Sequence, residues 1–248
     1  MTRKNNCSVF AIFMAMVFLC VSTAHADWKQ QIKNLLNIIA TPIARLADLK
    51  APSDMQAGSI FISSVDGDMP RAITNDGGYI SPVFSANDSE LLALRGDEVV
   101  SLPLSGGEPK MLYKLANAVK LLGMNRQDGN KLLVLLRTAE GETELSEMAL
   151  DNGQVKLLPH DTDDNEQQQI LKQLGGNDRN YGDGTLIYLQ PESKDGMSGH
   201  RIEWTDIYLK REGQESINVS RCNGQNCSQP TLSRDGRHVV FIRAKSEF

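Results

Sequence analysis

The chain has 248 residues, of which 40% are hydrophobic, 6% aromatic and 23% charged, and its formal net charge is −5. This composition is that of an ordinary globular chain and excludes a disordered or collagen-like protein. The acidic balance argues against a sequence-independent nucleic-acid binder, which carries a basic face, so no nucleic-acid partner is expected.

Residues 1–26 have the pattern of an export signal. Two basic residues precede an unbroken apolar run at 9–21, and Ala-His-Ala at 24–26 follows as a small-x-small cleavage site. The run is shorter than the about twenty residues that a membrane-spanning helix needs. The sequence therefore predicts cleavage before Asp27 rather than a retained anchor. We expect a periplasmic protein with no stable membrane span after cleavage, secretion being the alternative.

Cleavage would leave Cys222 and Cys227 as the remaining cysteine pair. It would also remove two basic residues and no acidic ones, which changes the net charge from −5 to −7. In an oxidising compartment the motif CNGQNC predicts a local disulfide bond that closes a small loop. The alternative is a redox or metal site. It is disfavoured because redox pairs are separated by two residues rather than four, and no histidine lies nearby in sequence. No metal site and no cofactor are predicted.

Residues 27–50 show the apolar spacing of an amphipathic helix. The apolar positions recur every three or four residues and are Trp28, Ile32, Leu35, Leu36, Ile39, Ile43, Leu46 and Leu49. Pro42 is expected to kink or divide this helix. Packing on the domain that follows is the simpler interpretation, and docking to a partner or a membrane surface is the alternative. Residues 51–57 indicate a linker before a domain at 58–248.

From residue 58 onward the chain repeats two kinds of hairpin. The first kind is a strand, a polar turn with glycine and a short second strand, found at 58–74, 97–113, 143–159 and 204–220. The second kind is a turn followed by a nearly continuous apolar run, found at 81–94, 121–135, about 182–189 and 229–242. Such a run is typical of a strand that is buried on both faces.

Two hairpins make a four-stranded antiparallel unit, and a unit of about 40 residues matches one propeller blade. Complete units lie at 81–113, 121–159 and about 170–220. Pairing the first hairpin of the domain, 58–74, with the last, 229–242, supplies a fourth unit and closes the ring without free sheet edges. The sequence thus predicts an all-β fold, a small β-propeller of four four-stranded blades preceded by the amphipathic helix. An open half-ring completed by a second copy is the alternative, so monomer and dimer both stay open.

Four segments carry a family resemblance: SPVFS at 81–85, LSGGEP at 104–109, DIYL at 206–209 and QPTLSRDGRHVVF at 229–241. They resemble the WD-repeat-like blades of TolB-type propellers, over about 58–244. The resemblance implies a propeller fold but no single activity, because related blades occur in prolyl oligopeptidase-type enzymes and in bacterial envelope proteins. TolB-like proteins have more blades and a mixed α/β N-terminal domain. No binding residues are carried over from them.

The sequence contains no recognisable catalytic constellation. It has no G-x-S-x-G motif, and His160, His200 and His238 fall in different repeats without metal-ligand spacing. The polar insertion at 160–184 offers a candidate binding loop, whose residues are Asp161, Asp163, Asp164 and Asn165. Three of these alternate as in a calcium loop, but Glu166 stands where the sharp turn needs glycine. A solvated acidic loop is therefore expected there.

Long polar loops on a rigid scaffold are where recognition tends to reside. We therefore expect a non-enzymatic scaffold that binds another envelope protein or a peptide through loops around its central channel. The alternative is a hydrolase or lyase that acts on a peptide or glycan with acidic residues at the channel.

Overall fold

The structure, a computed structural model, describes residues 55–158, 179–181, 184–195 and 201–245. The predicted export signal, the helix at 27–50 and the candidate loop with Asp161, Asp163, Asp164 and Asn165 lie outside these residues. Secondary structure in the described part consists of strands and turns, and it contains no helix. The described residues accordingly contain no helix with the length and apolarity to cross a membrane.

The described residues form strands in regular succession. They are β1 Ser59–Ser64, β2 Arg71–Ala72, β3 Tyr79–Phe84, β4 Glu90–Arg95, β5 Glu98–Pro103, β6 Lys110–Lys114, β7 Ala118–Met124, β8 Lys131–Arg137, β9 Thr143–Ala149, β10 Val155–Leu157, β11 Arg179–Asn180, β12 Leu186–Asp195, β13 Arg201–Lys210, β14 Ile217–Asn218, β15 Asn226–Leu232 and β16 His238–Ala244.

These strands make four antiparallel four-stranded sheets. Sheet 1 has the order β3-β4-β5-β6, sheet 2 β7-β8-β9-β10 and sheet 3 β11-β12-β13-β14, while the terminal sheet has the order β15-β16-β1-β2. The four-stranded units predicted from the repeats are confirmed, and the arrangement is consistent with a small propeller.

The terminal sheet joins the two ends of the domain. Strand β1 pairs antiparallel with β16 through six residue pairs, from Ser59↔Arg243 to Ser64↔His238. Phe61 and Phe241 lie opposite each other in this register, and their rings stack with centroids 6.1 Å apart. The predicted pairing of the first hairpin with the last is therefore confirmed.

Strands β3, β7, β11 and β15 stand first in the four sheets and are called the inner strands. Two of them, β3 and β15, have the same backbone irregularity. Each contains a bulge next to a proline, where a residue other than glycine adopts a positive φ: 53° at Ser81 and 56° at Gln229. The side-chain oxygen of Gln229 accepts the Ser81 N–H at 2.6 Å, and the Thr231 hydroxyl donates to the Pro82 carbonyl at 2.8 Å. The hairpins of the second kind at 81–94 and 229–242 thus begin with equivalent strands, which are joined by side-chain hydrogen bonds from β15 to the backbone of β3.

Apolar side chains between neighbouring sheets form the core. Packing runs from sheet 3 to the terminal sheet, from there to sheet 1, and from sheet 1 to sheet 2. Among residues 55–158, 179–181, 184–195 and 201–245, no comparably extensive packing joins sheet 2 to sheet 3. The predicted closure of the ring is therefore not observed at this seam.

Cys222 and Cys227 form the predicted disulfide bond. Both cysteines are buried, and they belong to the apolar cluster between sheet 3 and the terminal sheet. The bond closes the loop that leads from β14 into β15. The buried bond therefore anchors the start of β15 to the core.

Replacing both cysteines by serine is expected to lower the free energy of unfolding by about 2–4 kcal/mol. Closing so short a loop contributes about 2 kcal/mol, and two buried hydroxyls would add a desolvation cost. Urea denaturation of the oxidised protein and of the double variant measures the difference. Wild-type protein treated with a thiol reductant is the matched control. Equal denaturation midpoints for all three samples would refute a stabilising role for the bond.

Candidate functional site

The ends of the inner strands enclose a cavity of about 430 Å³. Its walls come from the turns after β3, β7 and β15 and from Tyr181, which follows β11. All four sheets thus contribute to this inner-strand cavity. Its volume falls in the range of about 300–1,000 Å³ that is common for ligand pockets.

Apolar side chains cover much of the cavity wall because the inner strands carry continuous apolar runs. The contributors are Val83, Phe84, Leu122, Met124, Tyr181 and Leu232. The Tyr181 hydroxyl accepts the Leu232 N–H at 2.9 Å, which fixes its ring against the terminal sheet. An apolar side chain of a ligand could therefore bury itself here without displacing protein hydrogen bonds.

Two carboxylates hold the loops at the rim. Asp88 accepts the backbone N–H groups of Arg234 and Asp235, each at 3.0 Å, and so ties the turn of sheet 1 to that of the terminal sheet. Asp235 accepts the Ser233 hydroxyl at 2.6 Å and the Arg237 N–H at 3.0 Å. The hydrogen bond from Ser233, followed by that from Arg237, lowers the pKa of Asp235 below its ordinary value. Both acidic groups therefore act as acceptors inside the loops.

Two arginines supply positive charge at the same rim. Arg234 donates to the Ala86 carbonyl at 3.3 Å, which leaves most of its guanidinium N–H groups for other partners. Arg126 is exposed, and within the described residues its side chain has neither a hydrogen bond nor an ion pair. The cavity thus combines an apolar wall with two guanidinium groups that retain N–H donors for a ligand, an arrangement suited to an acidic ligand with an apolar portion.

A second polar network surrounds Asp206, outside the cavity. Its carboxylate accepts the Cys222 N–H at 2.6 Å, the Ser220 hydroxyl at 2.8 Å and the Trp204 indole N–H at 3.0 Å. Burial acts to raise the pKa of Asp206, but these hydrogen bonds outweigh it, and the pKa lies below its ordinary value. The network connects β13 to the disulfide loop, and its role is structural.

The structure describes some of the site residues that the sequence analysis considered, but not all of them. The candidate loop at Asp161, Asp163, Asp164 and Asn165 lies outside the described residues and stays a prediction. His238 is the exposed first residue of β16 and does not line the cavity. In the part of the chain that the structure describes, no three His, Cys, Asp or Glu side chains are grouped to hold a metal ion.

Sequence reasoning missed the residues that build the cavity. Asp88 lies in the turn between β3 and β4, where its sequence context is that of an ordinary surface turn residue, and Arg126 is one exposed arginine among several. Only the equivalence of the turns after β3, β7 and β15 could have indicated them, because equivalent turns of a propeller meet at the same face.

No protein-family model matches the chain, and no curated protein does. Among solved structures, TolB from Acinetobacter baumannii is similar at 16% identity, over 75% of this chain and 46% of TolB, with a TM-score of 0.35. A putative TolB from Agrobacterium tumefaciens is similar at 14% identity, over 78% of this chain and 80% of its own, with a TM-score of 0.27. An oligogalacturonate lyase in complex with manganese is similar at 16% identity, over 72% of this chain and 50% of the lyase, with a TM-score of 0.30.

The chain thus spans less than half of the Acinetobacter TolB. TolB structures are among its structural neighbours, as the sequence resemblance implied, but at low identity and low TM-score. The strand order of the four sheets is itself consistent with a small propeller.

Proposed function

We propose that this chain is an exported periplasmic propeller that acts as a non-enzymatic scaffold and binds an envelope protein or peptide at the inner-strand cavity. The observation that carries the proposal is the cavity itself, to which all four sheets contribute wall residues. We also propose that the ring closes between sheets 2 and 3, which would make this cavity the mouth of a central channel.

The cavity favours a ligand of a particular chemistry. An extended segment with an acidic group could pair with Arg126 and Arg234, while a bulky apolar side chain beside it packs on Phe84 and Leu122. Charge-assisted hydrogen bonds to a guanidinium are stronger than neutral ones. A buried apolar side chain adds about 1.5–3 kcal/mol. Together these two contributions support specific capture of an acidic peptide segment.

The hydrolase or lyase alternative needs carboxylates that are available to a substrate. The two carboxylates at the cavity, Asp88 and Asp235, instead accept hydrogen bonds from the loops that carry them. This use of the acidic groups supports binding over acid–base catalysis at the cavity.

Affinity capture tests the proposal. Protein spanning 27–248, with its disulfide intact, is immobilised and exposed to envelope extract of the source organism, and captured proteins are identified by mass spectrometry. A variant with Arg126→Glu and Arg234→Glu is expected to lose at least about tenfold of the captured partner, because each reversal replaces an attractive charge with a repulsive one. Arg137→Glu, an exposed arginine at the far end of β8, is the matched control.

Deletion of residues 161–168 tests whether the acidic loop also contributes to capture of the partner. Loss of the partner in this variant, with unchanged thermal melting, would place recognition partly in that loop. Equal capture by wild type and by the double arginine variant would refute binding at the cavity. An extract that yields no reproducible partner would contradict the scaffold proposal and favour a small-molecule or glycan ligand.

A further inference from the structure

A groove of about 460 Å³ lies between the terminal sheet and sheet 1, and it shares no lining residue with the inner-strand cavity. Its walls are the end of β1, the turn between β1 and β2, the residues after β5 and the first residue of β16. We call it the outer groove. Its lining residues include Ile62, Asp68, Met69, Arg71 and Leu104.

Two opposite charges line the outer groove without neutralising each other. The Arg71 guanidinium donates one hydrogen bond, to the Leu104 carbonyl at 2.8 Å, which holds it at the rim. Asp68 lies three residues away in sequence, yet in residues 55–158, 179–181, 184–195 and 201–245 neither side chain forms an ion pair. Both residues line the groove, and both charged groups retain hydrogen-bonding capacity for a ligand.

Apolar surface lies beside the two charges. Ile62 is buried at the base and Leu104 is partly buried, while 71% of Met69 is exposed. Methionine side chains adapt to ligands of varied shape because they are unbranched and polarizable. The groove thus offers a cation, an anion and an adaptable apolar surface.

We propose that the outer groove binds a short zwitterionic peptide. The peptide carboxylate pairs with Arg71, its ammonium group pairs with Asp68, and an aliphatic side chain packs on Ile62, Leu104 and Met69. A zwitterion satisfies both charges at once, whereas a simple anion would be repelled by Asp68 and a simple cation by Arg71. The volume of the groove lies within the common range for small-molecule pockets.

Isothermal titration of the purified protein with leucyl-leucine tests this assignment. We expect saturable binding that Arg71→Gln and Asp68→Asn each weaken by at least about tenfold, since each removes one charge-assisted hydrogen bond. Arg95→Gln and Asp76→Asn, which remove a surface ion pair elsewhere in the protein, are the matched controls and should bind as wild type does.

Two further titrations separate this site from the inner-strand cavity. N-acetyl-leucyl-leucine amide, which has lost both charges, should fail to bind, and Arg126→Glu should bind leucyl-leucine as wild type does. Undetectable binding at millimolar leucyl-leucine would overturn the proposal, as would equal binding of the capped peptide. Loss of binding in Arg126→Glu with full binding in Arg71→Gln would place the dipeptide in the inner-strand cavity and would also overturn it.

Discussion

Replacing Asp206 by alanine is expected to lower the free energy of unfolding by about 3–5 kcal/mol. The carboxylate is almost fully buried and accepts three hydrogen bonds, from Cys222, Ser220 and Trp204. Its removal leaves two buried donors, on Cys222 and Ser220, and the partly buried Trp204 indole N–H without this acceptor, and each unsatisfied buried group costs about 1–3 kcal/mol. Water that enters the vacated space would recover part of that loss. Urea denaturation at neutral pH measures the effect.

The same residue is expected to make the free energy of unfolding depend on pH in the acidic range. Its folded pKa lies below the unfolded value of about 3.9. The stabilisation is therefore complete above about pH 4 and is lost as the pH falls from there through the folded pKa. Asp206→Asn retains one acceptor oxygen, so we expect an intermediate loss at neutral pH and a shallower decline below pH 4. An acid decline as steep in Asp206→Asn as in wild type would contradict this explanation.

Replacing Phe241 by alanine is expected to cost about 3–5 kcal/mol, the range for deleting a fully buried aromatic ring. Phe241 has no exposed surface, lies in a central strand of the terminal sheet and packs in the cluster shared with sheet 3. A small domain is stable by only about 5–15 kcal/mol in total. The variant should therefore unfold at a much lower denaturant concentration, which circular dichroism would follow.

Two neighbouring substitutions serve as controls for Phe241→Ala. Phe241→Leu keeps most of the buried volume and should cost less than about 1.5 kcal/mol. Phe61→Ala removes the stacked partner, which is only partly buried and lies 4.2 Å below the Arg243 guanidinium. We expect a loss between those of the other two variants. A cost below about 1 kcal/mol for Phe241→Ala would show that the terminal sheet is not central to stability.

Local patterns predicted most of the fold because each hairpin is specified by adjacent residues. The apolar runs and turn residues at 81–94 and 229–242 correspond to β3–β4 and β15–β16. The disulfide was predictable for the same reason, because only five positions separate its cysteines. The matching bulges at Ser81 and Gln229 were not predicted. The pairing of β1 with β16 followed from counting the unpaired hairpins at the two ends of the domain.

The extent of sheet 3 and the residues of the inner-strand cavity could not be predicted as well from the sequence. Strands β12 and β13 are each ten residues long. The hairpin predicted at 204–220 covered only the later part of β13, and for β12 the pattern was clear only at about 182–189. Beyond it, Pro191 and several charged residues interrupt the apolar run, as is tolerated in exposed strands. The cavity depends on which loops meet in space, and Asp88 contacts residues nearly 150 positions away. No local pattern encodes such a contact.

The union of the first and last strands has a consequence for how the chain folds. Ser59 is synthesised long before its pairing partner Arg243. The terminal sheet therefore cannot form until nearly the whole domain has been synthesised. Contacts between such distant positions slow folding, because the entropy of closing the long loop must be lost before the contacts stabilise it. Until β16 has been made, β1 and β2 form at most a two-stranded hairpin, which is marginally stable by itself and depends on packing against sheet 1. A chain that ends before β16 therefore cannot complete the terminal sheet.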